Sequence, residues 1–484
     1  MKTAICLLLL LVVVWPEALG QEVQRPNIVV ILCDDLGYGD VGLFNPERGK
    51  IATPHIDRLA AEGMHFTDAH SSSSVCTPTR YSLLTGRYNW RTRLQKGVLE
   101  GMSPPLIAKQ RMTVASLLQA HGYTTACVGK WHLGLEFGPQ PLASPIEDGP
   151  LQHGFDEFFG TSASTDMPPF AWIAGDRFLQ APTVTKKFLR EGPASPDFEV
   201  VDVLPTLARK GVEYIHARAK EGERPFFLYL PLTSPHTPIA PSSQWQGKSG
   251  LGAYADFVMQ TDAVVGEIIE AIDQAGLRDN TLIYLTSDNG CSPQANFKAL
   301  ATHGHYPSGH LRGYKADLWE GGHRVPLVVR WPDVVAPGGR SDQMVGLIDL
   351  LATVAEIVGA TLPPEAGEDS LSMLPLLEGE DEPTRDFDIY HSFDGRFAIR
   401  QGEWKLLMCA GSGGWSQPTE RRAAQQGLPE VQLYNLSEDL GERQNLAADR
   451  PEIVDRLSAL LEKSITDGRT TPGPRQPNDV EVER

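Results

Sequence analysis

The run Ile28-Val29-Val30-Ile31-Leu32, opened by Pro26-Asn27 and followed by Cys33-Asp34-Asp35, constrains this chain most. A strand with no polar alternation must be covered on both faces, which points to the interior of a parallel sheet with helices on either side. Further strands are expected at Tyr123–Val128, Phe226–Leu230, Thr281–Thr286 and Val325–Val329. Helical signals lie between them. Thr53-Pro54 opens a helix that stops at Gly63, Val114–Ala120 ends before Gly122, and another helix is expected near Leu347–Val358. Tyr254–Ala275 carries Tyr254, Phe257, Val258, Val265, Ile268, Ile269 and Ile272 at a helical period and ends at Gly276. The expected fold class is therefore α/β, with a large, mixed, mostly parallel sheet flanked by helices.

The pattern changes after the polar stretch Glu378-Gly379-Glu380-Asp381-Glu382-Pro383. Short strands are expected at Phe387–His391, Phe397–Arg400, Trp404–Met408 and Val431–Tyr434. A helix over Pro451–Lys463 has one apolar face. These pieces suit a small antiparallel sheet with a helix against it. At the other end, Lys2, the ten-residue apolar run Ile5–Val14 and Ala18-Leu19-Gly20 have the layout of a signal peptide, too short to span a bilayer. The expected organisation is a signal peptide over 1–20, a catalytic domain over 21–380, a subdomain over 381–466 and a loose tail over 467–484. The expected location is secreted or periplasmic, with no membrane anchor. Removing Cys6 with the signal leaves Cys33, Cys76, Cys127, Cys291 and Cys409, an odd set that fits a disulfide framework poorly.

Polar residues collect where the expected strands end, which is where open α/β sheets bind ligands. Asp34 and Asp35 follow the first strand, and Lys130 and His132 follow the Tyr123 strand. His236 follows the Phe226 strand, and Asp288 and Asn289 follow the Thr281 strand. The acids and the amide are oxygen donors suited to a hard divalent cation, with zinc a second choice because of the histidines. Cys76, in Ser74-Val75-Cys76-Thr77-Pro78-Thr79-Arg80, is expected near a helix N-terminus, where a thiol has a lowered pKa; Arg80 shares its helix face. On these residues alone, Cys76 reads either as a buried structural cysteine or as a thiolate nucleophile. With 43 Lys+Arg against 61 Asp+Glu, a net charge of −18, general nucleic-acid affinity is excluded, while a locally basic site for a small anion is not.

Cys76-Thr77-Pro78-Thr79-Arg80, continued by Leu83-Leu84-Thr85-Gly86-Arg87, resembles the signature of the type I, formylglycine-dependent sulfatases of the alkaline-phosphatase-like fold. Four further motifs resemble that family in the same order. They are Asn27–Gly39 with its paired Asp, Gly129-Lys130-Trp131-His132, Leu311–Lys315 with Trp319-Glu320-Gly321-Gly322, and the C-terminal pieces Ile399–Leu406 and Leu433–Leu436.

The resemblance implies that a maturation enzyme converts Cys76 to formylglycine, which is hydrated at rest. One hydroxyl of the hydrate attacks sulfur and releases the alcohol; the second collapses to the aldehyde and expels sulfate. It implies a metal, calcium with magnesium as the alternative, held by Asp34, Asp35, Asp288, Asn289 and the modified Cys76 side chain. Asp288 is also a candidate acceptor for the attacking hydroxyl's proton. Arg80 and Lys130 would hold the hydrate, His132 would act as base in its collapse, and His236 and Lys315 would bind sulfate and assist the leaving oxygen.

The expected substrate is a sulfated carbohydrate or an aryl sulfate. The competing functions are phosphodiester or phosphonate monoester hydrolysis on the same fold, and an inactive sulfated-glycan-binding protein. One local departure is His310, where many relatives carry proline. With His303 and His305 it makes a histidine-rich loop expected to shape the substrate pocket. Arg91 and Arg93 are expected on a solvated face.

Overall fold

A computed structural model describes residues 25–140, 142–222 and 224–483. The expected signal peptide and its cleavage point near Gly20 lie outside the described residues. Among the described residues, no helix is long and apolar enough to cross a membrane.

The strands of the main sheet, in chain order, are β1 (Asn27–Asp34), β2 (Met64–Phe66), β3 (Thr124–Lys130), β4 (Glu157–Thr161), β5 (Ile173–Ala174) and β6 (Arg177–Phe178), then β7 (Phe226–Pro235), β8 (Thr281–Ser287), β9 (Leu327–Arg330) and β10 (Gly339–Ser341). They form one ten-stranded sheet in the order β10-β2-β9-β8-β1-β7-β3-β4-β5-β6. The five central strands, β8 to β4 in that order, are parallel. Antiparallel pairings lie outside them, at β8–β9, β9–β2, β4–β5 and β5–β6. The expected strand at Val325–Val329 is thus present, shifted to Leu327–Arg330, and antiparallel.

β1 shows why its sequence carries no polar residue between Asn27 and Asp34. Ile28, Val30 and Leu32 enter one apolar core and Val29, Ile31 and Cys33 the other, so both faces are buried. On the first side pack α2 (Cys76–Thr85), α3 (Val114–Ala120) and α6 (Leu350–Ile357). On the second pack α1 (Pro54–Ala61), α4 (Val203–Glu221) and α5 (Ala253–Gln274). α4 was not expected from the sequence. It buries Val203, Leu204, Leu207, Ala208, Gly211, Tyr214 and Ile215, and ends at Gly222 in the left-handed region.

The smaller sheet is antiparallel, with β11 (Phe387–His391), β12 (Phe397–Gln401), β13 (Trp404–Leu407) and β14 (Gln432–Asn435) in sequence order. The helix α7 (Pro451–Asp467) lays Leu457, Leu461 and Ile465 on Ile389, Ile399, Leu406 and Leu433. Tyr88 and Trp90, just beyond α2, enter the same apolar cluster, so the smaller sheet packs directly on the segment leaving α2.

The segment after Asp467 forms no helix or strand but is held to the body, contrary to the expected loose tail. Asp479 pairs with Arg87 at 3.0 Å, and its N–H donates to Arg91 O at 2.8 Å; Thr470 N–H donates to Glu368 O at 3.1 Å. All five described cysteines are free and buried.

Candidate active site

The carboxyl ends of β1, β3, β7 and β8 converge below the N-terminus of α2, bringing together residues far apart in sequence. Lys130 Nζ lies 2.8 Å from Asp34 Oδ2, and Lys315 Nζ lies 2.6 Å from Asp35 Oδ1. Arg80 donates to Asp288 Oδ2 through Nη2 at 2.7 Å and Nε at 3.1 Å, and through Nη1 to Lys130 O at 3.2 Å. Asn289 Nδ2 donates to Asp35 Oδ1 at 2.7 Å, and the Asp35 N–H donates to Asp288 Oδ1 at 3.2 Å. His236 Nε2 is 3.7 Å from Asp35 Oδ2. Asp34, Asp35 and His236 place ligand atoms within 4.8 Å of one another.

Local backbone makes this convergence fit. Asp35 (φ 67°) and His132 (φ 57°) occupy the left-handed region, uncommon for residues with a Cβ and concentrated at functional sites. Gly129 (φ 146°) precedes Lys130; a Cβ there would lie 1.9 Å from Pro231 O, so only glycine lets β3 and β7 close up at the site. α2 is buried along its whole length and stops at Gly86. The serine loop before it is pinned through backbone groups. Ser71 N–H donates to His323 O, Ser74 N–H donates to His391 O, and Ala316 N–H donates to Ser74 O at 2.8 Å.

The charges act strongly on one another because the site is buried. Burial alone would raise Asp34, but Lys130, His236, Arg80 and Lys315 outweigh it and hold that carboxyl well below its ordinary range. Burial and the neighbouring Asp34 push Asp288 up to about 6, against the pull of Arg80. Burial would lower Lys315, but Asp35 overrides it and raises the ammonium. The thiol of Cys76 is pushed up by burial, which exceeds the lowering by Lys130 and Lys315. The lowered thiol pKa expected from the helix N-terminus is therefore not found, and a thiolate nucleophile loses its support.

His132 is buried and neutral: burial, then Lys130 and Arg80, hold its pKa well below the ordinary value. Its Nε2 lies 2.7 Å from Leu99 O, an acceptor, so Nε2 carries the proton. Nδ1 is then a bare lone pair, and it is buried without a partner. This is the form a general base needs.

Asp34 Oδ1 and Asn289 Oδ1 are also buried without a hydrogen-bond partner. Two orphaned hard oxygens beside Asp35 and Asp288 are chemically what a divalent oxygen-seeking cation requires, so the residues fit such an ion.

The structure therefore brings together Asp34, Asp35, Cys76, Arg80, Lys130, His132, His236, Asp288, Asn289 and Lys315. Other sequence expectations are corrected. His305 is not a pocket wall. It is fully buried, with Nε2 2.8 Å from Asp40 Oδ1 and Nδ1 accepting from Lys50 N–H at 3.0 Å. His303 and His310 are exposed. Arg91 is not on a solvated face. It is buried in a bidentate pair with Asp369, both bonds 2.8 Å, with its guanidinium 4.2 Å from the Trp90 ring centroid.

Sequence reasoning missed the layer behind the site. Asp40 accepts from Gly37 N–H at 2.8 Å and from the Tyr254 hydroxyl, which also meets Cys291 Sγ at 3.1 Å. Only the Gly37–Asp40 spacing, a turn signal, could have hinted at it.

Comparison with known proteins agrees with this geometry. Residues 26–360 match the Sulfatase family and residues 313–412 match the family described as N-sulphoglucosamine sulphohydrolase, C-terminal. The chain is 32% identical to an N-acetylgalactosamine-6-O-sulfatase of Bacteroides thetaiotaomicron, covering 92% of this chain and 94% of that protein. It is 35% identical to human arylsulfatase A, covering 95% and 92%. A solved sulfatase structure from Bacteroides thetaiotaomicron, connected with the metabolism of multiple glycosaminoglycans, superposes with a TM-score of 0.82 at 32% identity. That match covers 91% of this chain and 99% of the other.

Proposed function

The chain belongs to the type I, formylglycine-dependent sulfatase family, a family of sulfuric ester hydrolases, and from this premise we propose that it is an exported enzyme cleaving sulfate esters of carbohydrates, with 6-O-sulfated N-acetylgalactosamine as the first candidate. The observation that carries the proposal is the pair of orphaned oxygens, Asp34 Oδ1 and Asn289 Oδ1, set among three buried cations around Cys76. The choice of sugar rests on the Bacteroides thetaiotaomicron N-acetylgalactosamine-6-O-sulfatase.

Asp34, Asp35, Asp288 and Asn289 would hold the cation, calcium or magnesium, together with the modified Cys76 side chain. When bound, the ion supplies Lewis-acid polarisation of a sulfate oxygen; formylglycine at position 76 supplies a hydroxyl nucleophile with its own route to sulfate release. The remaining work falls to side chains. Lys130 and Lys315 put two ammonium groups beside the acids and attract a monoanionic ester into an acidic protein. Arg80, fixed on Asp288 and Lys130 O, holds the floor of the site in one geometry. His132 can take a proton at Nδ1 while Leu99 O fixes its tautomer. His236 donates through Nδ1 to Thr237 O at 2.5 Å, which leaves Nε2 facing Asp35 and the substrate side.

Turnover of p-nitrophenyl sulfate, bis(p-nitrophenyl) phosphate and a panel of O-sulfated monosaccharides tests the reading. Sulfate release from the aryl ester and from N-acetylgalactosamine 6-sulfate is expected, with the phosphodiester slower. Preference for the phosphodiester would overturn it.

A further inference from the structure

The rim of the site is built by three loops from distant parts of the chain. The loop over residues 95–101 reaches the catalytic groups directly. Leu99 O meets His132 Nε2, and Leu99 N–H donates to Thr77 Oγ1 at 3.2 Å, one residue from Cys76. The loop carrying Lys315 lies opposite, with Lys315 N–H donating to Cys291 O at 3.0 Å. The smaller sheet closes the gap between them. Its β11–β12 turn donates Phe393 N–H to Ala316 O at 3.3 Å and accepts Gly97 N–H at Phe393 O at 2.8 Å. Phe393 is thereby tied to both catalytic loops.

A second strut sets Trp415 beside it. Asp317 Oδ1 accepts the N–H groups of Trp415 and Ser416, each at 2.9 Å. Gly414 sits so close to the loop that a Cβ would lie 2.2 Å from Ala316 O. The two rings then pack at 5.3 Å between centroids, tilted by 58°. Both remain only partly buried. The indole N–H of Trp415 meets no acceptor among the described residues, and Asp394 beside the pair is exposed.

One partly exposed aromatic needs no explanation. A pair held by backbone bonds to residues adjoining Lys315, with a free indole donor and a neighbouring carboxylate, has the makings of a sugar platform. Aromatic faces take the apolar C–H face of a pyranose, while a few fixed polar groups read its hydroxyls.

We propose that Phe393 and Trp415 form a carbohydrate subsite that binds the pyranose linked to the sulfated residue, with the Trp415 N–H donating to a ring substituent and Asp394 accepting from a hydroxyl. This rests on the carbohydrate sulfatase reading above and adds to it that the substrate is an oligosaccharide. The smaller sheet, which supplies none of the groups around Cys76, thereby supplies recognition of the chain.

The test compares wild-type enzyme with Trp415→Ala, Trp415→Phe and Phe393→Ala. The substrates are p-nitrophenyl sulfate, N-acetylgalactosamine 6-sulfate and the chondroitin 6-sulfate disaccharide, and melting temperatures identify any variant that is misfolded. Expected for Trp415→Ala is a fall of about tenfold in kcat/KM on the disaccharide, mostly in KM, with the two smaller esters within about twofold of wild type. Trp415→Phe, which keeps the ring and loses the N–H, should fall between. A parallel loss on all three substrates, or no loss on the disaccharide, overturns the subsite. So does a wild-type enzyme that cleaves the aryl ester and not the disaccharide, and this leaves sulfatase activity standing. A wild-type enzyme with formylglycine at position 76 that cleaves none of the three overturns the functional reading itself. Calorimetric titration with the disaccharide then tests the subsite separately, and equal affinity of wild type and Trp415→Ala would remove it.

Discussion

Around Cys76, Asp34, Asp35 and Asp288 face Arg80, Lys130 and Lys315; at the junction with the smaller sheet, Asp68, Glu320 and Glu442 face Arg324, Arg400 and Lys405. Both clusters are buried, both set three acids against three bases, and each contains two histidines, His132 and His236 in one and His70 and His323 in the other. His70, Glu320 and His323 even stand close enough to ligate a metal.

They differ in what is left unpaired. In the second cluster Lys405 Nζ takes the central place, 2.8 Å from Glu320 Oε1, 2.9 Å from Glu442 Oε1 and 2.9 Å from His323 Nε2. His323 Nδ1 lies 3.0 Å from His70 Nδ1, and His70 Nε2 lies 2.8 Å from Asp68 Oδ1. Glu320 Oε2 takes Arg324 at 3.1 Å, closing the chain. Around Cys76, by contrast, Asp34 Oδ1, Asn289 Oδ1 and His132 Nδ1 are buried without a hydrogen bond, and Arg80 Nη2 stands off from Asp34 Oδ1 at 3.6 Å. A buried cluster in which every carboxylate oxygen has a cation or an N–H within 3.1 Å, Glu442 Oε1 through its ion pair with Lys405 alone, acts as a strut between layers. One that retains unmet acceptors is prepared for a ligand.

That distinction can be broken from either side. Cys76→Ala should abolish ester turnover by at least about 10³-fold, since the nucleophile itself is gone, with little change in melting temperature. Lys405→Met should do the reverse. Loss of the cation shared by Glu320 and Glu442 in the buried junction is expected to lower the unfolding free energy by about 3–5 kcal/mol, while kcat of the folded fraction stays within about threefold. Denaturant melts and active-site-normalised rates read both. Stripping divalent ions with EDTA should remove activity and lower stability by about 2–3 kcal/mol, as expected for loss of an ion present at about a hundredfold above its Kd. Calcium or magnesium should restore both, and the same loss should be seen in Lys405→Met.

The smallest expected effects concern acid and the surface. Burial would raise Asp68, but Arg324, His70 and Arg400 outweigh it and hold its carboxyl well below the ordinary range. Its folded pKa is below its unfolded one. Its contribution is therefore fully present above the ordinary carboxylate pKa of about 4 and is lost as pH falls below it. Asp68→Asn should flatten the stability–pH curve in that acidic limb. His303→Ala with His310→Ala, both exposed, should leave stability within about 0.5 kcal/mol.

How far the sequence could be read follows from the same physics. β1, β7 and β8 were legible because strands buried on both faces have strongly apolar central runs, and the polar site residues stand at or just beyond their carboxyl ends. Lys130 and His132 were legible for the same reason, at the end of β3 and just beyond it. α4 was missed because Pro205 falls in its first turn and charges crowd its second half, Arg209 to Glu221. Arg91 read as solvated because its partner Asp369 is 278 positions away, and no local pattern records so distant a bond. The strut at the junction was invisible on the same ground: its members run from Asp68 to Glu442. Motif proximity to strand ends reveals chemistry; pairing across the chain is settled only by the fold.

The central claim is that Cys76 is converted to the residue that attacks sulfur. The tryptic peptide from Leu59 to Arg80 contains it, and its mass in protein from the native source tests the claim directly. The account predicts a mass matching formylglycine at position 76 in material that releases sulfate. An unmodified thiol in a protein that still turns over the ester would contradict it.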